Sequence, residues 1–244
     1  MKRIVAGPNA VFEILAASPE RIDVIYIFDG LKHSMLKRLL DTANDKQVTI
    51  ETAHKETLDK LAPKLNHQGV VALTGDYPYK DLSSILDRLA KATSALLLLL
   101  DQIQDPGNLG AILRTAHALG VDGVIITKDK SASITPGAAR ASTGACELID
   151  ITRVTNLSRC IELLKRKGFM CYGAAGEAQT PLCDINWTGR TALVMGNEGK
   201  GLRRLTKERC DLLFKIPMST SFDSLNVSAA AAISLYEASR QRPA

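Results

Sequence analysis

The chain contains 244 residues, 45% of them hydrophobic and 23% charged, and 31 Lys and Arg against 26 Asp and Glu give a formal net charge of +5. This composition is typical of a globular protein with one large domain or two small ones, and the mild basic excess favours a polyanionic partner without establishing one. The longest apolar run, Ala95–Leu100, is far too short to span a bilayer, which excludes a transmembrane helix.

The cysteines and histidines argue against a disulfide framework and against a metal site. The five cysteines are odd in number, widely scattered and without a CxxC pair, and the four histidines show no metal-ligand spacing. Reduced thiols in a cytosolic protein fit this pattern better. The basic start of the chain could belong to a signal peptide, but Gly7-Pro8-Asn9 interrupts any apolar core. We therefore expect a cytoplasmic protein without a metal.

The first ~75 residues alternate the patterns of helices and strands. Asn9 is a candidate cap for the first helix. The predicted helices cover 9–17, 35–43 and 55–61, and the predicted strands cover 24–28, 48–51 and 70–74. A turn at 76–79 and a helix at 82–90 follow. We predict a domain at 1–76, a linker at 77–93 and a second domain at 94–244.

The second part opens with a strand that is apolar on both faces, Ala95–Leu100, as expected in the middle of a mostly parallel sheet. A helix at 109–119, ended by Gly120, and a strand at 124–127 complete a βαβ unit. Further predicted helices lie at 135–145 and 157–167, and further strands at 170–173, 192–195 and 212–216. Strand ends therefore recur near Asp101, Gly173, Gly196 and Pro217, where parallel α/β sheets bind ligands.

The first candidate site follows the leucine strand, in the sequence DQIQDPGNLGAILR at 101–114. Asn108 could cap the helix at its positive end, or it could face a ligand there. Arg114 lies beside the apolar stripe of this helix rather than opposite it. An arginine in that position often only extends to solvent along the apolar surface, so this segment alone leaves both interpretations open.

The second candidate site is the segment VMGNEGKGL at 194–202, where a strand runs into three glycines within six residues. Glycines allow positive φ and close backbone contact with a ligand, and Gly196 and Glu198 stand in that loop. A flexible turn with a solvated glutamate is the alternative. The spacing excludes a phosphate loop of the GxxxxGK[ST] type. Because no GxGxxG follows a strand, a nicotinamide dehydrogenase or an ordinary Rossmann-fold methyltransferase is disfavoured.

The third candidate site is Ile216–Glu237, where a strand ends, a polar loop follows and four alanines open a helix. Ser224, Leu225 and Asn226 stand at the junction. Burying unpaired hydroxyls or amides costs roughly 1–3 kcal/mol, so a purely structural helix would not need them. An ordinary cap by Asp223 or Ser224 is the alternative. Residues 224 and 226 would point about 200° apart on an ideal helix, so a shared role requires Ser224 in the loop.

A basic run directly follows the glycine loop. Its members, on what should be a helix, are Lys200, Arg203, Arg204, Lys207 and Arg209. A solvated face is the usual fate of such charges, but their place beside a candidate ligand loop makes phosphate contact credible. Aromatic residues form only 5% of the chain, so stacking on single-stranded bases is not the main binding device.

The three motifs together, DPxNxGAxxRTA at 105–116, GxEGxG at 196–201 and IPM…SLNVS at 216–228, resemble the SpoU/TrmH branch of the SPOUT superfamily, RNA ribose 2′-O-methyltransferases. Segments at 7–11, 67–69, 153–157 and 175–178 resemble the members that methylate a guanosine ribose in the peptidyl-transferase loop of 23S rRNA. The resemblance implies an α/β fold: a C-terminal SPOUT domain with a parallel sheet and a deep trefoil knot, and a small N-terminal L30e-like RNA-binding domain. It also implies a homodimer and S-adenosylmethionine as cofactor.

The resemblance also implies roles for individual residues, each of the type that the family motif requires. Cofactor contacts are expected at Gly196, Ile216 and Leu225. Catalytic or substrate-positioning roles are expected at Asn108, Arg114, Glu198, Ser224 and Asn226. An arginine stays protonated, so we expect Arg114 to stabilise a developing alkoxide and grip a phosphate rather than act as a literal base. Thr220 and Asp223 depart from close relatives, which affects the loop more than the chemistry.

Two alternatives remain open for the function. A tRNA ribose would require the same chemistry, although stand-alone tRNA enzymes of this branch often lack a separate N-terminal domain. A non-catalytic RNA-binding protein on the same scaffold should keep the basic faces but lose the motifs, and all three motifs are present. The expected partner is therefore 23S rRNA, with no metal and no membrane.

Overall fold

The computed structural model describes residues 3–31, 34–63, 65–219 and 225–242. Contacts divide the chain into two units, residues 1–78 with 133–148, and residues 79–132 with 149–244. The predicted domain boundaries at 76 and 94 stay a prediction. They place the short segment 133–148 in the second domain, whereas its contacts group it with the first unit.

Strands and helices alternate along most of the described chain. The strands are β1 (Arg3–Ala6), β2 (Ile22–Phe28), β3 (Ile50–Ala53), β4 (Val70–Thr74), β5 (Ala95–Leu100), β6 (Gly123–Thr127), β7 (Ile151–Val154), β8 (Met170–Ala174), β9 (Thr180–Pro181), β10 (Arg190–Met195) and β11 (Leu212–Lys215). The helices are α1 (Pro8–Ala17), α2 (Ser34–Asp45), α3 (Lys55–Leu61), α4 (Leu82–Arg88), α5 (Pro106–Ala118), α6 (Pro136–Ala141), α7 (Leu157–Arg166), α8 (Arg204–Arg209) and α9 (Val227–Arg240).

The first unit is built on a four-stranded sheet in the order β1-β4-β2-β3, antiparallel except for the β2/β3 pair. Helices α1 and α2 cover a core that includes Ile14, Leu15 and Ile25. The predicted cap at Asn9 is wrong: Gly7 precedes α1, and Pro8 takes the first turn, where its missing N–H costs nothing. Strand β1 is absent from the predictions, because four residues are too few for a clear alternation.

The second unit is built on a seven-stranded sheet in the order β7-β6-β5-β10-β8-β11-β9, with every neighbouring pair parallel. All six residues of β5 are buried, which confirms the prediction of a central strand. Helix α5 packs against α9. The carboxyl ends of β5, β8, β10 and β11 therefore meet at one edge, where the three predicted motifs lie. The knot that the resemblance implies stays a prediction, since strand order does not establish it.

The helix predicted at 135–145 is shorter than expected. Helix α6 ends at Ala141, and the chain turns through Thr143 at φ 50° and Gly144 at φ 90° into a short 3-10 turn. A Cβ at position 144 would lie 2.5 Å from Glu13 Cγ, so the missing side chain of Gly144 also lets this segment approach α1 closely.

Candidate active site

A pocket opens at the carboxyl edge of the large sheet, between the ends of β8, β10 and β11 and the start of α9. Gly196, Ile216 and Leu225, the three predicted cofactor contacts, all line it. Met218 also lines it, and Met218 and Leu225 are each 40% exposed. Exposed apolar side chains inside a pocket with nearby backbone polar groups are typical of a small-molecule site.

The glycine loop after β10 is a tight turn that only glycine permits at its first position. A Cβ on Gly196 would lie 2.2 Å from the carbonyl carbon of Gly201 and 2.3 Å from the Leu202 nitrogen. Asn197 and Gly201 close the turn with two backbone hydrogen bonds of 2.9 and 3.0 Å. The would-be Cβ of Gly199, by contrast, has its nearest contact at 3.8 Å. The close approach therefore belongs to Gly196, not to the loop in general.

Three predicted site residues from three different elements are joined by hydrogen bonds. Asn108 Nδ2 donates to Glu198 Oε1 at 3.2 Å, and Asn226 Nδ2 donates to Asn108 Oδ1 at 3.1 Å. The Glu198 carboxylate also accepts from Asn197 Nδ2 at 3.2 Å and lies 3.4 Å from the Asp105 nitrogen. It is thus held at the positive end of α5, a favourable place for a negative charge.

The helix caps differ from the predicted ones. Asp105, not Asn108, caps α5: its Oδ1 accepts from the Asn108 nitrogen at 2.7 Å. The Asn108 side chain is therefore available to Glu198 and Asn226. Asn226 caps α9 through Oδ1, which accepts from the Ser228 nitrogen at 2.9 Å. The caps proposed at Asp223 or Ser224 are thus not needed to begin this helix.

Arg114 is exposed on α5 and does not line the pocket. Within the part of the chain that the structure describes, its guanidinium makes no hydrogen bond or ion pair. It stands about 120° around the helix and about 9 Å further along it than Asn108. The structure therefore brings six of the eight predicted site residues to one place and leaves Arg114 apart. Ser224 lies outside the described residues, as do Thr220 and Asp223.

An ion pair that no sequence pattern predicted fastens the glycine loop. Asp101, which is 0% exposed, accepts from Arg203 Nε at 2.7 Å and from the Arg203 nitrogen at 3.1 Å. Asn197 Nδ2 adds a bond of 2.8 Å to the carbonyl oxygen of Gln102. The sequence pattern marks Asp101 only as a strand end, and Arg203 only as one member of a basic run. The pattern that could have predicted this ion pair is an acidic residue, Asp101, directly after a fully apolar strand.

Most of the basic run is paired with carboxylates inside the same unit. The predicted helix is confirmed only for Arg204–Arg209, as α8, and is wrong for Lys200 and Arg203, which precede it. Its side chains pair as Arg204 with Glu208, Lys207 with Glu177 and Arg209 with Glu162. The hydrogen bond from Lys207 lowers the pKa of the Glu177 carboxyl. Because such exposed pairs contribute at most about 1 kcal/mol, these cations can still exchange partners.

The described residues hold no group of three His, Cys, Asp or Glu side chains arranged to bind a metal ion. No helix among them combines the length and apolarity needed to cross a bilayer. The five cysteines are free, and burial raises the pKa of Cys160 to about 12.

Comparisons with known proteins match both units. The sequence model of the SpoU rRNA Methylase family matches residues 95–236, and that of RNA 2′-O ribose methyltransferase substrate binding matches residues 4–80. Over 98% of this chain and 95% of the relative, the sequence is 44% identical to a 23S rRNA (guanosine-2′-O-)-methyltransferase RlmB from Coxiella burnetii. The Escherichia coli K12 protein of the same name is 40% identical over 99% of this chain and all of its own.

A solved structure agrees with the sequence relatives. The SpoU methyltransferase AviRb from Streptomyces viridochromogenes, in complex with AdoMet, is 27% identical with a TM-score of 0.81. The match covers 98% of this chain and 90% of that one.

Proposed function

Because the chain belongs to the SpoU rRNA methylase family, we propose that it transfers a methyl group from S-adenosylmethionine to the ribose 2′-hydroxyl of a guanosine in 23S rRNA. The observation that carries this proposal is the extent of the similarity to 23S rRNA methyltransferases, which runs through both units at 40–44% identity. A non-catalytic protein would not need the hydrogen-bonded Asn108–Glu198–Asn226 arrangement. The proposed target lies in the peptidyl-transferase loop.

The pocket lined by Gly196, Ile216 and Leu225 fits S-adenosylmethionine. Exposed apolar side chains suit a purine ring, and the missing Cβ of Gly196 lets the backbone of Gly201 and Leu202 pack against it, which keeps the loop that lines the pocket tightly closed. When bound, the cofactor supplies a methyl group that the positive sulfonium charge already activates. The remaining difficulty is the nucleophile, a hydroxyl that barely ionises at neutral pH.

The chain's own residues would address that difficulty by positioning and electrostatics. Asn108, Glu198 and Asn226 offer amide donors and carboxylate acceptors to a ribose hydroxyl. Arg114 carries a permanent positive charge on a fork that matches phosphate. We assign it the stabilisation of the developing alkoxide and a grip on a neighbouring phosphate, while the proton leaves to phosphate or water.

The position of Arg114 supports a homodimer. Helix α9 packs against α5, and it presents Ile233 and Tyr236, both exposed, three residues apart and therefore on one face. We propose that a second copy of the chain covers this apolar face, so that Arg114 of one copy serves the pocket of the other. The reaction is proposed to take place in the cytoplasm, a compartment that suits five free thiols.

The decisive experiment maps ribose methylation over the whole 23S rRNA in cells lacking this protein. Loss of one guanosine mark in the peptidyl-transferase loop, restored by the wild-type gene, is expected. An unchanged rRNA map together with a lost tRNA mark would refute 23S rRNA as the substrate. The proposed methyl transfer to a ribose hydroxyl would still stand.

The role of Arg114 is tested separately. Arg114→Lys keeps the charge but loses the fork, so turnover should fall while S-adenosylmethionine binding stays. Near-full turnover would refute the bidentate role.

Mixing inactive Arg114→Ala and Glu198→Ala proteins should restore part of the activity if the two residues serve one site from different copies. No recovery in a verified mixed dimer would mean that each copy works alone.

A further inference from the structure

A second cleft lies in the same unit, where the chain that leaves β7 meets the start of α8. Its lining residues are Thr155, Asn156, Ser158, Arg203, Arg204, Leu205 and Thr206. All but Leu205 carry a polar side chain, and two carry a positive charge. The cofactor pocket described above is lined by none of them. The cleft therefore calls for a ligand of different chemistry.

The amino end of α7 stands at this cleft. This helix has ten residues, and Asn156 caps it by accepting from the Arg159 nitrogen at 3.0 Å. The N–H groups of a first helical turn and the positive end of the helix dipole favour an anion. A helix end alone would not make a site, because many such ends face only water.

Thr206 supplies an independent observation. It lines the cleft, it is 0% exposed, and its hydroxyl is buried with no hydrogen-bond partner in the described residues. Leaving a buried hydroxyl unpaired is unfavourable, so a hydrogen-bond partner brought by a ligand would be stabilising here. A ligand oxygen that enters the cleft would provide the missing partner.

Arg203 and Arg204 add the charge. Asp101 holds Arg203 by its Nε and backbone nitrogen, so the guanidinium is oriented, yet the side chain remains 44% exposed. Its two terminal nitrogens have no partner among the residues described. Arg204 pairs with Glu208 on the surface, and both are exposed. A phosphate can replace that weak pair, because arginine binds phosphate through two parallel charge-assisted bonds.

We propose that this cleft binds a backbone phosphate of the RNA substrate next to the methylated nucleotide. This inference rests on the proposed function and deepens it. Arg203 follows the glycine loop after a single buried residue, Leu202, so a phosphate held here is tied through a short, rigid connection to Glu198. The cleft would thereby set where the ribose lies, without taking part in the chemistry.

The test compares two cleft variants with a control that removes one positive charge, as Arg204→Gln does. Arg204→Gln and Thr206→Val remove a proposed phosphate donor each, and Arg166→Gln removes an exposed charge from the far end of α7. Binding to a transcribed fragment of 23S rRNA that contains the methylated loop is measured at several salt concentrations. Calorimetry with S-adenosylmethionine and thermal unfolding are run on all variants.

We expect Arg204→Gln to weaken RNA binding about tenfold and to lower the slope of log K against log salt by about 1. Thr206→Val should weaken RNA binding without lowering the unfolding temperature, since it also removes an unpaired buried hydroxyl. Arg166→Gln should stay within about twofold of wild type, and cofactor affinity should not change in any variant.

Two results would separate the inference from the function on which it rests. If the wild type methylates the fragment and both cleft variants keep its RNA affinity and salt slope, the phosphate cleft is refuted and the proposed function stands. If the wild type binds the fragment with the cleft-dependent slope but methylates neither this RNA nor intact 23S rRNA, the proposed function fails and the cleft stands.

Discussion

Each unit buries a carboxylate against arginine, but only one of the two arrangements is open to a ligand. In the first unit Glu147 binds Arg3 at 2.6 Å and Arg21 at 2.8 Å, and Glu147 and Arg3 are only 1% and 6% exposed. In the second unit Asp101 is equally buried, while its partner Arg203 is half-exposed. The closed cluster can serve only stability, whereas the open pair orients an arginine that still has donors to offer.

The closed cluster is also covered by an aromatic ring. The guanidinium carbons of Arg3 and Arg21 lie 5.2 and 5.6 Å from the centre of the Tyr77 ring, within the range of cation–π attraction. Burial raises the pKa of Tyr77, so its hydroxyl stays protonated and donates to the Cys146 carbonyl oxygen at 2.5 Å. The cluster thereby holds the segment 133–148 against the strands of its own unit.

The largest effect is expected from Glu147→Ala. Removing this carboxylate leaves the buried Arg3 and the partly buried Arg21 without a counter-charge, which should lower the free energy of unfolding of the first unit by about 3–5 kcal/mol. Urea unfolding measures this free energy, and limited proteolysis identifies the unit that unfolds. Glu51→Ala, on an exposed position of β3, should cost less than about 1 kcal/mol. A loss as small for Glu147 would show that the cluster is not structural.

Gly196→Ala, in the second unit, should reduce cofactor binding, whereas Glu147→Ala in the first unit should reduce stability. Because its Cβ would meet backbone atoms at 2.2 Å, the loop must shift, and we expect S-adenosylmethionine affinity to fall at least about a hundredfold. Calorimetry measures this loss. Gly199→Ala, in the same loop but with room for a Cβ, is the matched control and should bind normally. Equal losses in both variants would point to loop flexibility instead of close packing.

Asp101→Asn should reduce turnover more than stability. The amide can keep one bond to Arg203 but no longer balances its charge, so we expect about 1–3 kcal/mol of destabilisation and a turnover loss of about tenfold or more. Turnover and urea unfolding are measured on the same preparation. Asp87→Asn, on the exposed face of α4, is the control. A variant that unfolds easily but turns over normally would make Asp101 a structural residue like Glu147.

The smallest effect concerns thiol reactivity. Burial, and then the charge of Glu147, raise the pKa of Cys146 to about 12, so at pH 8 this thiol is protonated and reacts slowly with alkylating reagents. The exposed Cys183 should react first in the native protein. Mass spectrometry of alkylated peptides measures both. Glu147→Ala should speed the reaction of Cys146 but not of Cys183, and equal rates would mean that Cys146 is not enclosed.

Much of the fold was predictable because local patterns were strong. The six leucine-rich residues of β5 confirm a central strand, and helices α3, α5 and α7 lie within a few residues of the predicted ranges. The predictions that failed concern helix caps, where neighbouring residues compete for one position, and short strands. Asp105 stands directly before Pro106, the preferred first residue of a helix, so it outcompetes Asn108 as cap. Short strands such as β7 carried too little periodicity to predict.

The sequence by itself determined the family, the chemistry and the order of the three motifs, because those depend on residue types at fixed spacing along the chain. Only the tertiary structure decided that Asn108, Glu198 and Asn226 bond to one another, that Arg114 stands apart, and that Asp101 orients Arg203. These pairs are separated by some 90 to 120 positions in the chain. No local pattern encodes such contacts, since they form only when parallel strands bring their carboxyl ends to one edge.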